Sequence, residues 1–334
     1  MKPLVLTSMS GFHFTVSSYA EVTIPFAFRF VWGQLPSPDK LAAYLGPGSG
    51  EHGSGSQWSD YVDWTMRGGK TRTKLALIDF CRNYDVVEFW FDPSPNDQLL
   101  LVWLLDYFHS DPDIATKLTV RLLDCSLHEI DHKRSDPYEV LEAEVTGAEF
   151  ETAGMVWHAY REPTPEACFG LLRKDLGALP LLKPALRNLL EELPSASTGL
   201  GATEMRMLEL IARGYEHVNT LFHIHELRRT CIFNEWEHGY LLERLAHGPT
   251  PAVAGLDDEL RTISQEKLGA RHPLFLRSRL SPTEFGEAVV AHEADFSRHN
   301  PIDRWWGGTH LTNDRLWRYD PVLTRSWARG DEAP

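Results

Sequence analysis

The stretch "WFDPSPNDQLLLVWLLDYF", Trp90 to Phe108, restricts the fold more than any other part of the chain. Leu99 to Leu105 is apolar on every side of a helix, and such a helix has to be covered on every side. The residues before it, "DVVEFWF", are a β-branched and aromatic run of strand length. Ser94 suits a helix N-cap and Pro95 a first helical position, where proline's missing N–H costs nothing. A buried strand running into a buried helix is the repeating unit of an α/β sheet.

Other segments extend the same pattern. "PLVLT" predicts a first strand, and the alternating, aromatic "VTIPFAFRFVWGQLP" a second that ends at its prolines. Leu75, Leu77, Ile78 and Phe80 have helical spacing, and "LTVRLLDC" predicts a further strand. Strands alternating with helices imply a mostly parallel, Rossmann-like sheet over 1–135. From Glu139 the pattern turns helical, predicting a helical connector over 136–197. The polar "PSASTGLGATE" marks a boundary near residue 198. Beyond it lie "ATEMRMLELIARG", "NTLFHIHELRRT" and "NEWEHGYLLERLA", a short extended "PLFLR", a helix in "SPTEFGEAVVAHEADF" and a tryptophan-rich end. That order predicts an α-rich, winged-helix-like domain over 198–325, with a disordered tail at 326–334.

Composition narrows the functional classes. The 334 residues carry a net charge of −14, which opposes the phosphate neutralisation that drives nucleic-acid binding and also opposes an anionic membrane surface. Cys81, Cys125, Cys168 and Cys231 form no CxxC pair, so neither a zinc cluster nor a disulfide framework is indicated. No run approaches the roughly 20 apolar residues of a membrane span. The expectation is a cytoplasmic protein whose cysteines act as small hydrophobes.

Polar groups at the start of a buried helix, beyond the carboxyl end of a strand, lie where open α/β sheets bind ligands. Asp92, Asn96, Asp97 and Gln98 occupy that position here, and Ser8 and Trp32 are candidate additions to the same ligand-binding site. A simpler role is open to two of them. Asp97 can complement the helix dipole and Asn96 can assist the cap. An aspartate at a helix N-terminus also competes with a phosphate for the same positive potential.

Other motifs carry less. His128-Glu129-Ile130-Asp131-His132 matches H-E-x-x-H literally, but it follows a strand and has Pro137 close behind, so no long helix can hold it and no metal site is expected. His223 and His225 lie two apart, on different helix faces. "MRGGKTRT" lacks the spacing of a phosphate loop. No motif specifies a cofactor or a catalytic constellation. In the third helix of the helical region, Glu235, Glu237 and Glu243 face only Arg244, which suits protein contact better than a DNA groove.

The final stretch, "IDRWWGGTHLTNDRLWRYD", balances three arginines against three aspartates and reads as two short strands joined around "LTND". In extended chain Trp305 and Trp306 point to opposite sides. One aromatic side is expected to pack on the "FGEAVVAHEADF" helix. Gly307-Gly308 permits a bulge or a close backbone approach.

"RFVWGQLPSPD", "WFDPSPNDQLLLVWLLDYF", "LEELPSASTGLGATEMRMLELIARG" and "IDRWWGGTHL…LWRYD" together resemble the bacterial family catalogued as domain of unknown function 1835, over about Leu4 to Asp320. The resemblance implies an α/β domain followed by a helical, winged-helix-like one, and implies no reaction. It makes Asp303, Arg304, Trp305, Gly307, Gly308 and His310 a C-terminal signature. Where relatives carry an aspartate in the loop after the first strand, "LTSMSGFHF" offers Thr7, Ser8 and Ser10. The functional expectation is a non-enzymatic ligand-sensing or regulatory protein with a small-molecule ligand and a protein partner. The alternatives are an enzyme acting on a small, nucleotide-like substrate with Asp92 or Asp97 as acid or base, and a DNA-binding regulator.

Overall fold

The computed structural model describes residues 3–9, 20–48, 55–61, 74–123, 140–257, 273–321 and 325–328. The chain divides into two compact units. The first is Met1–Phe30, Leu35–Arg161 and Lys174–Ala185; the second is Val31–Gln34, Glu162–Arg173 and Leu186–Pro334. The H-E-x-x-H stretch, "MRGGKTRT", Ser10 and Cys125 lie outside the described residues.

In the first unit, β1 (Leu4–Ser8) and β2 (Val22–Phe26) are followed by α1 (Pro38–Leu45), α2 (Leu77–Cys81) and β3 (Val87–Phe91). Then come α3 (Pro95–Phe108), α4 (Pro112–Ala115), β4 (Leu118–Leu123), β5 (Val140–Glu144) and α5 (Gly147–Arg161). The strands form one sheet in the order β2-β1-β3-β4-β5. The first four are parallel, and β5 is antiparallel to β4. This is a mostly parallel α/β sheet, as the alternation of strands and helices implies.

Every residue of α3 from Pro95 to Leu105 is buried, and so is Phe108. The helix contacts β3 on one side and α5 on another, which supplies the cover that its all-round apolar surface requires. Trp103 meets the rings of Phe26, Phe28 and Phe30 edge-on at 5.8, 5.3 and 5.4 Å. The alternation of phenylalanines thus keeps one face toward the helix even beyond Phe26, where strand pairing stops.

Strand β5 corrects the expectation of helix from Glu139 onward. "VLEAE" is a five-residue alternation at a sheet edge, where charged side chains protect unpaired backbone. Its Glu142 pairs with Arg121 across the ladder at 2.8 Å. The predicted connector therefore begins inside the sheet, and the next helix, α5, belongs to the same unit.

The second unit is rich in helices. It holds α6 (Glu166–Leu171), most of α7 (Leu182–Glu191), α8 (Ala202–Ala212), α9 (Val218–His223), α10 (His225–Arg228) and α11 (Glu235–His247). The short strands β6 (Val253–Ala254) and β7 (Ser281–Pro282) pair, and α12 (Glu284–Val290) and α13 (Phe296–His299) follow. Met207, Leu208, Phe222, Leu242, Val289 and Phe296 form part of its core. The chain ends in β8 (Asp303–Trp306), β9 (Thr309–Thr312), β10 (Trp317–Asp320) and β11 (Arg325–Ala328).

Four local expectations fail here. "NTLFHIHELRRT" is two helices, because Ile224 is extended between them. The stretch 273–276, expected to be extended, is a helical turn. The final hairpin turns at Gly307-Gly308 rather than at "LTND", with Trp306 opposite Thr309 and Gly307 at φ +54°. A two-residue loop with positive φ is what glycine serves best, and it matches the twist of the flanking strands. The segment expected to be a disordered tail starts within β11, which pairs with β10; 329–334 lie outside the described residues. Among the described residues no helix is long and apolar enough to cross a membrane.

Candidate functional site

The strand order places β2 on one side of β1 and β3 on the other. The direction of winding therefore reverses between the carboxyl ends of β1 and β3, where ligands enter open α/β sheets. Ser8 ends β1, Asp92 follows β3, and Asp97 and Gln98 lie in the first turn of α3. Four of the six residues proposed from sequence thus meet at the switch point.

Their contacts are specific. The Ser8 hydroxyl donates to Asp97 Oδ2 at 2.8 Å, and the Asp92 backbone N–H approaches the same oxygen at 3.3 Å. Ser94 N–H donates to Asp92 Oδ1 at 2.8 Å, and Gln98 Nε2 donates to the Asp92 carbonyl at 2.7 Å. Beside them the Thr7 hydroxyl donates to the Trp90 carbonyl at 2.6 Å, tying β1 to β3. Ser94 sits at the N-cap, yet its side chain makes no capping bond. The turn is held instead by the two aspartates, so Asp97 does more than complement a dipole.

Burial and charge set the chemistry. Asp97 is 3% exposed and Gln98 1%. Burial pushes the Asp97 carboxyl up, and repulsion from Asp92 adds to this. The bonds from Ser8 and Asp92, with the charge of Arg29, pull it back, and the net result lies well above the usual carboxylate range. A carboxyl so placed is held toward its neutral, proton-bearing form. Both hydrogen bonds to Asp97 fall on Oδ2, while Gln98 Oε1 is buried with no hydrogen-bond partner.

The other two sequence-proposed residues lie elsewhere. Asn96 accepts from Phe30 N–H at 2.9 Å and donates to the Phe28 carbonyl at 3.0 Å, so it pins that aromatic segment rather than capping α3. Trp32 belongs to the second unit. It stacks on Tyr240 at 6.0 Å and meets Phe233 edge-on at 5.6 Å. Trp32 packs against the apolar core of the second unit. Thr7 was named in sequence only as a loop residue, and its strand-end β-hydroxyl was the available signal.

The C-terminal signature forms a clamp. Trp306 is buried, and its indole N–H donates to the Leu189 carbonyl of α7 at 2.6 Å, not to the helix expected from sequence. Arg304 donates to Glu204 at 3.1 Å and to the Glu192 carbonyl at 2.8 Å. On the opposite side Trp305 lies flat on His310 at 4.5 Å, and His310 meets Asp303 at 2.7 Å. Gly307 and Gly308 make the turn between these pairs.

Beneath the clamp are two buried carboxyls with opposite behaviour. Burial pushes Glu204 up, but Arg244 and Arg304, each 3.1 Å away, outweigh it, and its pKa falls below the usual value. Glu192 accepts from the Thr203 hydroxyl at 2.5 Å and from Thr203 N–H. Burial dominates there, and its carboxyl is pushed up to about 7 from 4.5.

A raised folded-state pKa on an acid means that the native state holds a proton the unfolded chain has lost. Stability is then greatest below pH 4.5 and falls as pH rises toward about 7. One pKa unit corresponds to about 1.4 kcal/mol, so the Glu192 contribution to this fall is on the order of 3 kcal/mol. Replacing Glu192 with Gln should flatten that limb in urea titrations run at several pH values, and an unchanged slope would refute the assignment.

Among the described residues no group of three or more His, Cys, Asp or Glu side chains is placed to hold a metal. Fold and site together define an α/β unit with a buried acidic and amide cluster at its switch point. No protein-family model matches the chain, and no curated protein matches it.

Proposed function

We propose that the chain is a ligand-sensing or regulatory protein whose α/β unit binds a small molecule at the carboxyl ends of β1 and β3. The observation that carries this is the convergence of Ser8, Asp92, Asp97 and Gln98 where the sheet reverses its winding, with one buried acceptor, Gln98 Oε1, lacking a partner. Buried polar atoms normally find partners, so an orphan at a topological ligand position supports a bound donor.

The second unit supplies the output in this reading, as a winged-helix-like module. Support comes from the succession of α8, α9 with α10, and α11 before β6 and β7, and from the bridge between His217 and Arg279 beside β7. α11 takes the place of the third helix and exposes Glu235, Trp236 and Tyr240. An acidic, aromatic surface suits a protein partner better than a phosphate backbone. Membership of the family of domain of unknown function 1835 belongs to the same proposal and rests on the four sequence blocks.

A broad thermal-shift screen of metabolites tests the reading. A ligand of the native state at roughly 100 times its Kd stabilises by about 2.7 kcal/mol, which appears as a rise of several degrees in Tm. Ser8→Ala should weaken that ligand by loosening Asp97. If no compound of any charge class stabilises the protein, ligand sensing is refuted. An enzymatic reading is favoured by one observation, the burial of the Asp97 carboxyl beside Asp92, which holds it toward the proton-bearing form a general acid needs. Conversion of a bound compound to product, followed by chromatography and lost in Asp97→Asn, would establish it.

A further inference from the structure

The groups at the switch point also specify what kind of molecule fits. Gln98 commits its Nε2 to the Asp92 carbonyl, so the atom it has left is an acceptor. Asp97 is filled on Oδ2 by Ser8 and by the Asp92 N–H, and among the described residues no hydrogen bond reaches Oδ1. Asp92 brings a second carboxyl to the same turn, with Oδ1 committed to Ser94 N–H. The first N–H groups of a helix would attract an anion, but here the Asp92 carboxyl already lies beside that end, bonded to Ser94 N–H. Arg29 and Asp92 both act on the charge of Asp97, so among the described residues the cation near this turn is offset by a carboxyl and leaves no surplus positive charge to recognise phosphate or carboxylate.

We propose that the Asp97–Gln98 turn takes an uncharged ligand presenting an amide- or amidine-type N–H edge, as a nucleobase does, and excludes phosphorylated and carboxylate ligands. This rests on the small-ligand reading above and specifies its chemistry. The donor reaches Gln98 Oε1, and the neighbouring polar atom of the ligand meets Asp97 Oδ1. The neutral form of Asp97, favoured by burial, lets that oxygen carry a proton toward a ligand acceptor. A buried acceptor left unpaired is what makes such a site discriminate, because an analogue without the donor leaves it orphaned.

The test uses the full chain with adenosine, cytidine and guanosine, their 5′-monophosphates, and inorganic phosphate as probes, by calorimetry and thermal shift. At least one nucleoside should bind, its monophosphate at least tenfold more weakly, and inorganic phosphate not at all. Dimethylating the exocyclic amine of the bound nucleoside removes the donor and should weaken it at least tenfold, a comparison that needs no protein variant. Gln98→Met should cause a similar loss while melting cooperatively. Monophosphates binding as tightly as nucleosides, or dimethylation without effect, would overturn the ligand class and leave the small-ligand reading intact. A metabolite screen blank for neutral, cationic and anionic compounds alike would overturn both.

Discussion

Replacing Glu204 with Ala should lower the unfolding free energy by about 3–5 kcal/mol, the usual cost of removing one partner from a buried ion pair. Glu204 is 1% exposed and lies 3.1 Å from both Arg244 and Arg304. Its carboxylate also accepts from Gly201 N–H at 3.2 Å and so closes the start of α8. The variant would leave two guanidinium groups facing an empty, largely dry space and the helix start without its cap. Urea or guanidinium unfolding followed by far-UV circular dichroism measures the loss. A cost below about 1 kcal/mol would mean that the arginines relax to water and that the triad is not a structural unit.

Additivity provides a second check. The double variant Glu204→Leu, Arg304→Leu should cost less than the sum of the two single ones, because each single change strands the other's charge. The pH dependence has a definite sign as well. A carboxyl whose folded pKa is lowered contributes stability that is complete above its unfolded value of 4.5 and is lost as pH falls through the folded pKa. Glu192 acts oppositely, losing stability as pH rises toward about 7.

The second large effect belongs to Trp306. Trp306→Ala should cost about 3–5 kcal/mol, since it empties a buried indole site and removes the indole N–H bond to the Leu189 carbonyl. Trp305→Ala removes only a partly exposed stack on His310 and should cost about 0.5–1.5 kcal/mol. The contrast is the informative part. Two adjacent tryptophans of one strand face opposite sides, and only one is buried. Equal costs for the two variants would contradict this arrangement, and differential scanning calorimetry would resolve the difference.

The chain's local signals were legible where a single element sufficed. The all-round apolar character of Leu99 to Leu105 required a buried helix, and α3 is buried along that length. The turn at Asp92 was legible too, since strand residues, two prolines and polar first-turn residues follow one another. Strand β5 escaped because five residues ending in charge blend into the helical pattern that follows until a partner strand is known. The Gly307-Gly308 turn was misplaced because "LTND" carries stronger polar turn signals, whereas the pairing of Trp306 with Thr309 depends on register.

Sequence by itself determined the α/β character, the start of α3 and the polar character of the turn between β3 and α3. Each follows from periodicity or from a cap, which neighbouring residues specify among themselves. Tertiary structure alone decided that Ser8 meets Asp97 across 89 positions, that Trp32 joins the second unit, and that Arg304 reaches Glu204 across 100 positions. A hydrogen bond between distant residues leaves no period in the sequence. Its partners are chosen when apolar surfaces are buried together and the polar groups carried with them must be satisfied.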